Sequence, residues 1–174
     1  MNISEFKQEL TANRDYFYQF PFPMRTYYHW TAGRHFTTFD DYHYCIDGDG
    51  EIINTRPITE TPSATWHRNT GSIAIALCAC YNGTPKDLGE YAPTEAQIGT
   101  LAQMTAVIAE VFENPIDYNH FMTHGEAADE DGYGLYSGDS DCRWDLQILH
   151  TGDEYGTGGD IIREKAQYYL EQGV

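Results

Sequence analysis

Positive charge is what this chain has least of. Lysine and arginine total 10 against 27 aspartates and glutamates, a formal net charge of −17 over 174 residues. So few cations cannot neutralise a row of phosphates, which excludes nucleic acid as a partner. Electrostatic steering toward an anionic surface is excluded too, and the acidity reads as solubility. No run of about 18 apolar residues occurs, so no membrane insertion is expected. The start, Met1-Asn2-Ile3-Ser4-Glu5-Phe6-Lys7, has neither the basic nor the apolar region of a secretory signal. The expectation is synthesis in the cytoplasm, with any export by another route. Cysteine is sparse as well, and Cys45, Cys78, Cys80 and Cys142 form no CxxC pair. Cys78 and Cys80 fall on one face of a strand-like run, where a bond between them would strain the backbone. All four are expected to be reduced.

What is present describes one folded domain. A chain of this length, 41% hydrophobic and 21% charged, can bury a substantial core. Residues 1–23 read as an extension packed on a domain spanning 24–174, with a short amphipathic helix from Ser4 to about Arg14. Strands are expected over Met24–Trp30, Tyr42–Ile46 and Glu51–Thr55, the last two joined by the Asp-Gly-rich turn at 47–50. Ser72–Cys78 is a nearly continuous apolar run, as in a strand buried on both faces. Thr94 and Gln97 have capping-box spacing at the head of a helix whose apolar stripe ends near Pro115. A short strand over Phe121–His124 and a last helix capped by Asp160 complete the pattern. The glycine- and acid-rich stretch from Ala127 onward reads as irregular, with an insertion at 127–142 serving as a surface loop or a groove wall. The class is α/β, a central mixed sheet flanked by helices.

Four separated segments carry chemistry: Tyr27-Tyr28-His29-Trp30-Thr31-Ala32-Gly33, Asp41-Tyr42-His43-Tyr44, Met122-Thr123-His124-Gly125-Glu126 and Cys142-Arg143-Trp144-Asp145. A catalytic zinc takes three protein ligands from His, Cys, Asp or Glu and leaves a fourth position open. Strand ends and adjoining loops meet that need, because the sheet is rigid and one side stays free. Each histidine alone reads as structural. Together and in this order the segments resemble the zinc-dependent N-acetylmuramoyl-L-alanine amidases, a family similar to phage T7 lysozyme and the peptidoglycan recognition proteins. Asp49-Gly50-Glu51-Ile52, His67-x-Asn69-x-x-Ser72-Ile73-Ala74-Ile75 and Pro93-Thr94-x-x-Gln97 extend the resemblance, which runs from about Met24 to Leu146.

The resemblance implies His29, His124 and Asp145 as zinc ligands, with Cys142, Asp139 and Asp141 as rivals to Asp145, and His120 as a rival to His124. It implies Tyr42 for proton transfer or for orienting water, since Ala76 stands where one branch of the family has a glutamate. Arg143 falls where the family usually has lysine or threonine; a cation there could stabilise an oxyanion but, being an arginine, could not shuttle a proton. His67 matches a groove histidine, and Trp30, Trp66 and Tyr133 could stack on sugar or peptide. The implied reaction is zinc-assisted hydrolysis of the amide between N-acetylmuramic acid and L-alanine in peptidoglycan or muropeptides. A monomer acting on the wall after release or delivery is the expected form, as an endolysin, a delivered toxin or a recycling enzyme. A binding module without catalysis is the alternative from another class.

Overall fold

A computed structural model describes residues 1–174, and in it the order of elements follows the hydrophobic pattern. The strands are β1 (Arg25–Trp30), β2 (Tyr44–Ile46), β3 (Ile52–Asn54), β4 (Ser72–Leu77) and β5 (Phe121–Thr123). The helices are α1 (Ile3–Ala12), α2 (Arg14–Tyr18), α3 (Glu95–Phe112), α4 (His124–Asp131) and α5 (Gly158–Gln172). One mixed sheet runs β3-β2-β4-β1-β5, parallel except for the antiparallel edge strand β3. Every residue of β4 is buried, as its unbroken apolar run requires of a strand covered on both faces. The turn into β3 closes because Gly50 takes φ +86° and the Asp47 carboxylate accepts the Asp49 and Glu51 N–H groups.

Period-two alternation in β1 sorts the two faces. Tyr28 turns toward α3, where its hydroxyl meets Thr105, and joins the main core with Phe6, Leu10, Tyr44 and Phe121. Tyr27 and His29 point to the opposite face, where Tyr27 packs with Met122 and Ala127. The Thr94–Gln97 capping box starts α3 as expected, and the buried Gln97 amide also donates to Ile46 O and Cys78 O. No helix is long and apolar enough to cross a membrane. All four cysteines are free.

Three expectations are corrected. The stretch after His124 is helical at first: Thr123 and Glu126 form another capping box and start α4, so the expected insertion begins inside a helix. Helix α5 begins at Gly158 rather than being capped by Asp160, whose carboxylate is engaged by Arg163 at 2.8 Å. Strand β2 starts at Tyr44, two residues late. Here the His43 ring replaces part of the ladder: its Nδ1 accepts the Ala74 N–H at 3.1 Å while Nε2 donates to Glu60 O at 2.7 Å.

These two bonds fix His43 as a neutral, fully buried ring. Burial pushes its pKa down to about 4, against the raising effect of the Glu60 carbonyl. An unfolded histidine takes its proton near pH 6.5, so between about 6.5 and 4 the unfolded chain holds more protons and stability rises with pH. The contribution is whole above about pH 6.5 and is lost as the pH falls toward 4, at up to about 1.4 kcal/mol per unit. Urea unfolding of the metal-free protein at pH 5 and pH 7 is expected to show this fall. His43→Gln should make the fall clearly shallower, and an unchanged slope in that variant would remove His43 as a cause.

Candidate metal and active site

Three buried side chains from distant segments converge at the C-terminal ends of the parallel strands. His29 stands next to last in β1, His124 is the first residue of α4, and Asp145 lies in the loop that follows the acidic stretch. Their relative exposures are 1%, 6% and 6%. The two Nδ1 atoms lie 3.2 Å apart, and Asp145 Oδ2 is 3.7 Å from the one and 3.6 Å from the other.

Backbone packing sets these positions. Gly125 N–H donates to Asp145 O at 3.1 Å, and a Cβ on Gly125 would lie 2.9 Å from that same oxygen and 2.5 Å from Gln147 Cγ. Only glycine lets the Asp145 segment lie this close to the start of α4. Glu126 anchors the helix from beneath through a buried two-pronged pair with Arg163, at 2.9 and 2.8 Å, and Arg163 also donates to Phe121 O. A Cβ on Gly159 would press within 2.3 Å of the Glu126 carboxylate, and one on Gly158 would collide with Leu146 O. Ala32, His67 and Leu146, all beside site segments, hold positive φ values of 55°, 58° and 59° without being glycine. Such conformations persist only where the surroundings impose them.

The electrostatics suit a cation. Burial, with His124 alongside, pushes His29 down to about 4 against the opposing pull of Asp145. The ring is therefore neutral near pH 7, the state metal ligation requires. Burial alone would raise Asp145, but His124 and then His29 outweigh it and hold the carboxylate well below its usual range. Each far ring nitrogen has an oxygen partner at 3.2 Å: Thr65 Oγ1 for His29 Nε2 and the Tyr133 hydroxyl for His124 Nε2. These contacts orient the rings so that both Nδ1 atoms face inward. Ligand atoms about 2.0–2.2 Å from a tetrahedral metal stand about 3.3–3.6 Å apart, close to the separations found here. The group His29, His124 and Asp145 can hold a metal ion, and no second group of this kind exists in the structure.

The other candidates are distributed unevenly. Tyr42 closes one side, its ring 5.1 Å from that of His29, and burial followed by Asp145 raises its hydroxyl pKa far above neutrality. Two hollows flank the centre and share Ala64, His124 and Arg143. One, of about 460 Å³, is walled by Trp66, Tyr133, Asp139 and Asp141; the other, of about 430 Å³, by Tyr42, Cys142 and Asp145. Arg143 turns onto its own loop, donating to Asp141 O at 2.7 Å. Trp30 is 6% exposed, with Trp144 edge-on against it at 4.7 Å, so its ring is wall rather than platform. Trp66 is 60% exposed beside His67. His67 itself opens onto separate depressions beyond Trp66. Cys142, Asp139 and Asp141 do not join the convergent group, and His120 pairs with Asp117 at 2.7 Å. Thr65 and Arg163 had no motif to announce them.

A family model described as N-acetylmuramoyl-L-alanine amidase matches residues 11–142, about three quarters of the chain. The chain belongs to the N-acetylmuramoyl-L-alanine amidase family. The matched span takes in His29, Tyr42 and His124 and stops just short of Asp145. Two solved structures resemble this amidase. One is the endolysin N-acetylmuramoyl-L-alanine amidase LysCS from Clostridium intestinale, 19% identical over 63% of this chain and 73% of its own, with a TM-score of 0.47. The other is the endolysin of the Thermus scotoductus bacteriophage Ph2119, 17% identical over 71% of this chain and 88% of its own, also at 0.47. No curated protein matches.

The close approach at Gly125 gives a direct test. Gly125→Ala should push the Asp145 segment outward, lowering divalent-metal affinity in calorimetry by about tenfold or more. Its cost to folding should be about 1–3 kcal/mol, as for other overpacked sites. Unchanged affinity would mean that Gly125 does not position Asp145.

Proposed function

We propose that this amidase cuts the bond between the lactyl group of N-acetylmuramic acid and L-alanine with a zinc ion held by His29 Nδ1, His124 Nδ1 and Asp145. The observation that carries the proposal is the buried triangle of two inward-facing nitrogens and one carboxylate oxygen, with edges of 3.2–3.7 Å. Two imidazoles and a carboxylate suit zinc, and three protein ligands beside open hollows match its catalytic rather than its structural sites. Bound there, zinc would act as a Lewis acid on the scissile carbonyl and make water a nucleophile near neutral pH.

The remaining work falls to the chain's own residues. Thr65 and Tyr133 hold the two imidazoles in place. Tyr42 keeps its proton at working pH, because burial and the nearby Asp145 oppose the phenolate. It therefore serves as a hydrogen-bond donor to the oxygen that gains charge as the carbonyl is attacked, rather than as a base. Arg143 stands where both hollows meet and, swung from its loop carbonyl, adds a second donor. Trp66 offers an exposed flat face to sugar or peptide. The centre lies open on both sides, which fits a polymer passing through better than a small fragment enclosed. We therefore read the role as lysis of the wall, endolysin-like.

The first measurement is amine release from purified peptidoglycan by the zinc-loaded protein. Asp145→Ala should abolish the appearance of L-alanine amino termini, and Cys142→Ala should leave it intact. The reverse pattern would move the third ligand to Cys142, and binding without release by the loaded wild type would leave a recognition module. Tyr42→Phe should lower kcat by about a hundredfold with little change in KM, the scale of removing one oxyanion donor. An unaltered kcat would take Tyr42 out of the reaction.

A further inference from the structure

Away from the metal centre, basic groups gather where the rest of the chain is acidic. A hollow of about 270 Å³ opens at the start of β1 and β4, with Arg25, His67 and Arg68 on its walls and no carboxylate among them. In a chain with 10 basic residues against 27 acidic ones, two arginines line this hollow without an acid, while the adjoining depression that Arg25 also lines carries Glu130 and Asp131. Arg68 is already neutralised: it grips Asp131 at 2.7 and 2.8 Å, lies 3.5 Å from Glu130, and sits 5.8 Å over the Tyr27 ring. Arg25, exposed at the head of β1, makes no ion pair and no side-chain hydrogen bond. The hollow is also preformed. Phe20 and Phe22, stacked at 5.6 Å, fold over Gly71, which has φ +69° and whose Cβ would come within 2.9 Å of the Phe22 ring.

This hollow connects to the metal centre. A middle depression shares Arg25, His67 and Arg68 with it, and shares Trp66 and Asp131 with the hollow that His124 lines. The three hollows thus adjoin in a row, each sharing wall residues with the next, from His124 past Trp66 to Arg25. Arg25 and His29 are four residues apart along β1, about 13 Å at the rise of a strand. An extended peptide covers that distance in about four residues.

On the amidase reading of the centre, we propose that this hollow is a distal subsite. Arg25, with His67 beside it, takes the free terminal carboxylate of a stem peptide about four residues long whose amide to muramic acid lies at the ligand triangle. A guanidinium suits a carboxylate because its fork can donate two parallel hydrogen bonds. A stem whose terminal carboxyl is consumed in an amide cross-link lacks this contact. The enzyme therefore favours stems with free ends.

The test compares two soluble substrates, an N-acetylmuramoyl tetrapeptide ending in a free carboxylate and the same compound ending in a carboxamide. The zinc-loaded wild type should show a KM about three- to tenfold lower for the acid, with kcat shared, as expected for an ion pair at a partly exposed site. Arg25→Gln should erase the preference, and Arg25→Lys should keep part of it. Equal KM values in the wild type, or a preference that survives Arg25→Gln, would overturn the subsite and leave the amidase reading intact. Turnover of neither substrate would bring down the amidase reading and the subsite with it.

Discussion

Burying two imidazoles and a carboxylate within 3.7 Å of one another is the constraint on which this structure turns. Each group loses water on burial, and the loss is tolerable only where partners and opposite charge replace it. The surroundings meet that need in layers. Thr65 and Tyr133 occupy the outward ring nitrogens, and the Trp30 N–H reaches Asp145 Oδ2 at 3.4 Å. Beneath them the Glu126–Arg163 pair ties the start of α4 to α5 and to the β5 carbonyl of Phe121. Glycines at 125, 158 and 159 let the backbones come close enough for this to happen.

The same arrangement explains why the centre lies where it does. Parallel strands β2, β4, β1 and β5 all run toward one edge, and a crevice beyond that edge is where open α/β sheets offer sites. His29 comes from a central strand, flanked on both sides, and so is held stiffly. His124 sits at a strand-to-helix junction fixed by the Thr123 capping box. Asp145 arrives on irregular backbone, and its place depends on the neighbours that hold it, Gly125 above all.

Local signals were legible wherever local physics decides. The Thr94 capping box, the apolar run of β4 and the glycine turn before β3 formed as their residues indicate. The convergence of His29, His124 and Asp145 was readable only through the motif resemblance, since nothing in their spacing brings residues 29 and 145 together. The misreadings have physical causes. In sequence Glu126 reads as part of a ligand motif, which hides its role as the third helical residue of a capping box and with it the start of α4. Asp160 has the chemistry of a cap, but Arg163 claims it. Tyr42 falls outside β2 because the His43 ring takes a ladder N–H, a substitution invisible to strand propensity. Thr65 carries no signal at all, being one hydroxyl in a polar loop until folding sets it against His29.

The Glu126–Arg163 pair also spreads the support of the centre along the chain. Arg163 lies beyond all three convergent residues in the chain, yet it is the group that steadies the start of α4, where His124 stands. A wall-cutting centre whose second histidine leans on α5 thus draws part of its rigidity from a helix that contributes no group to it. Helix α5, remote from any chemistry, works as a brace for the residues that carry it.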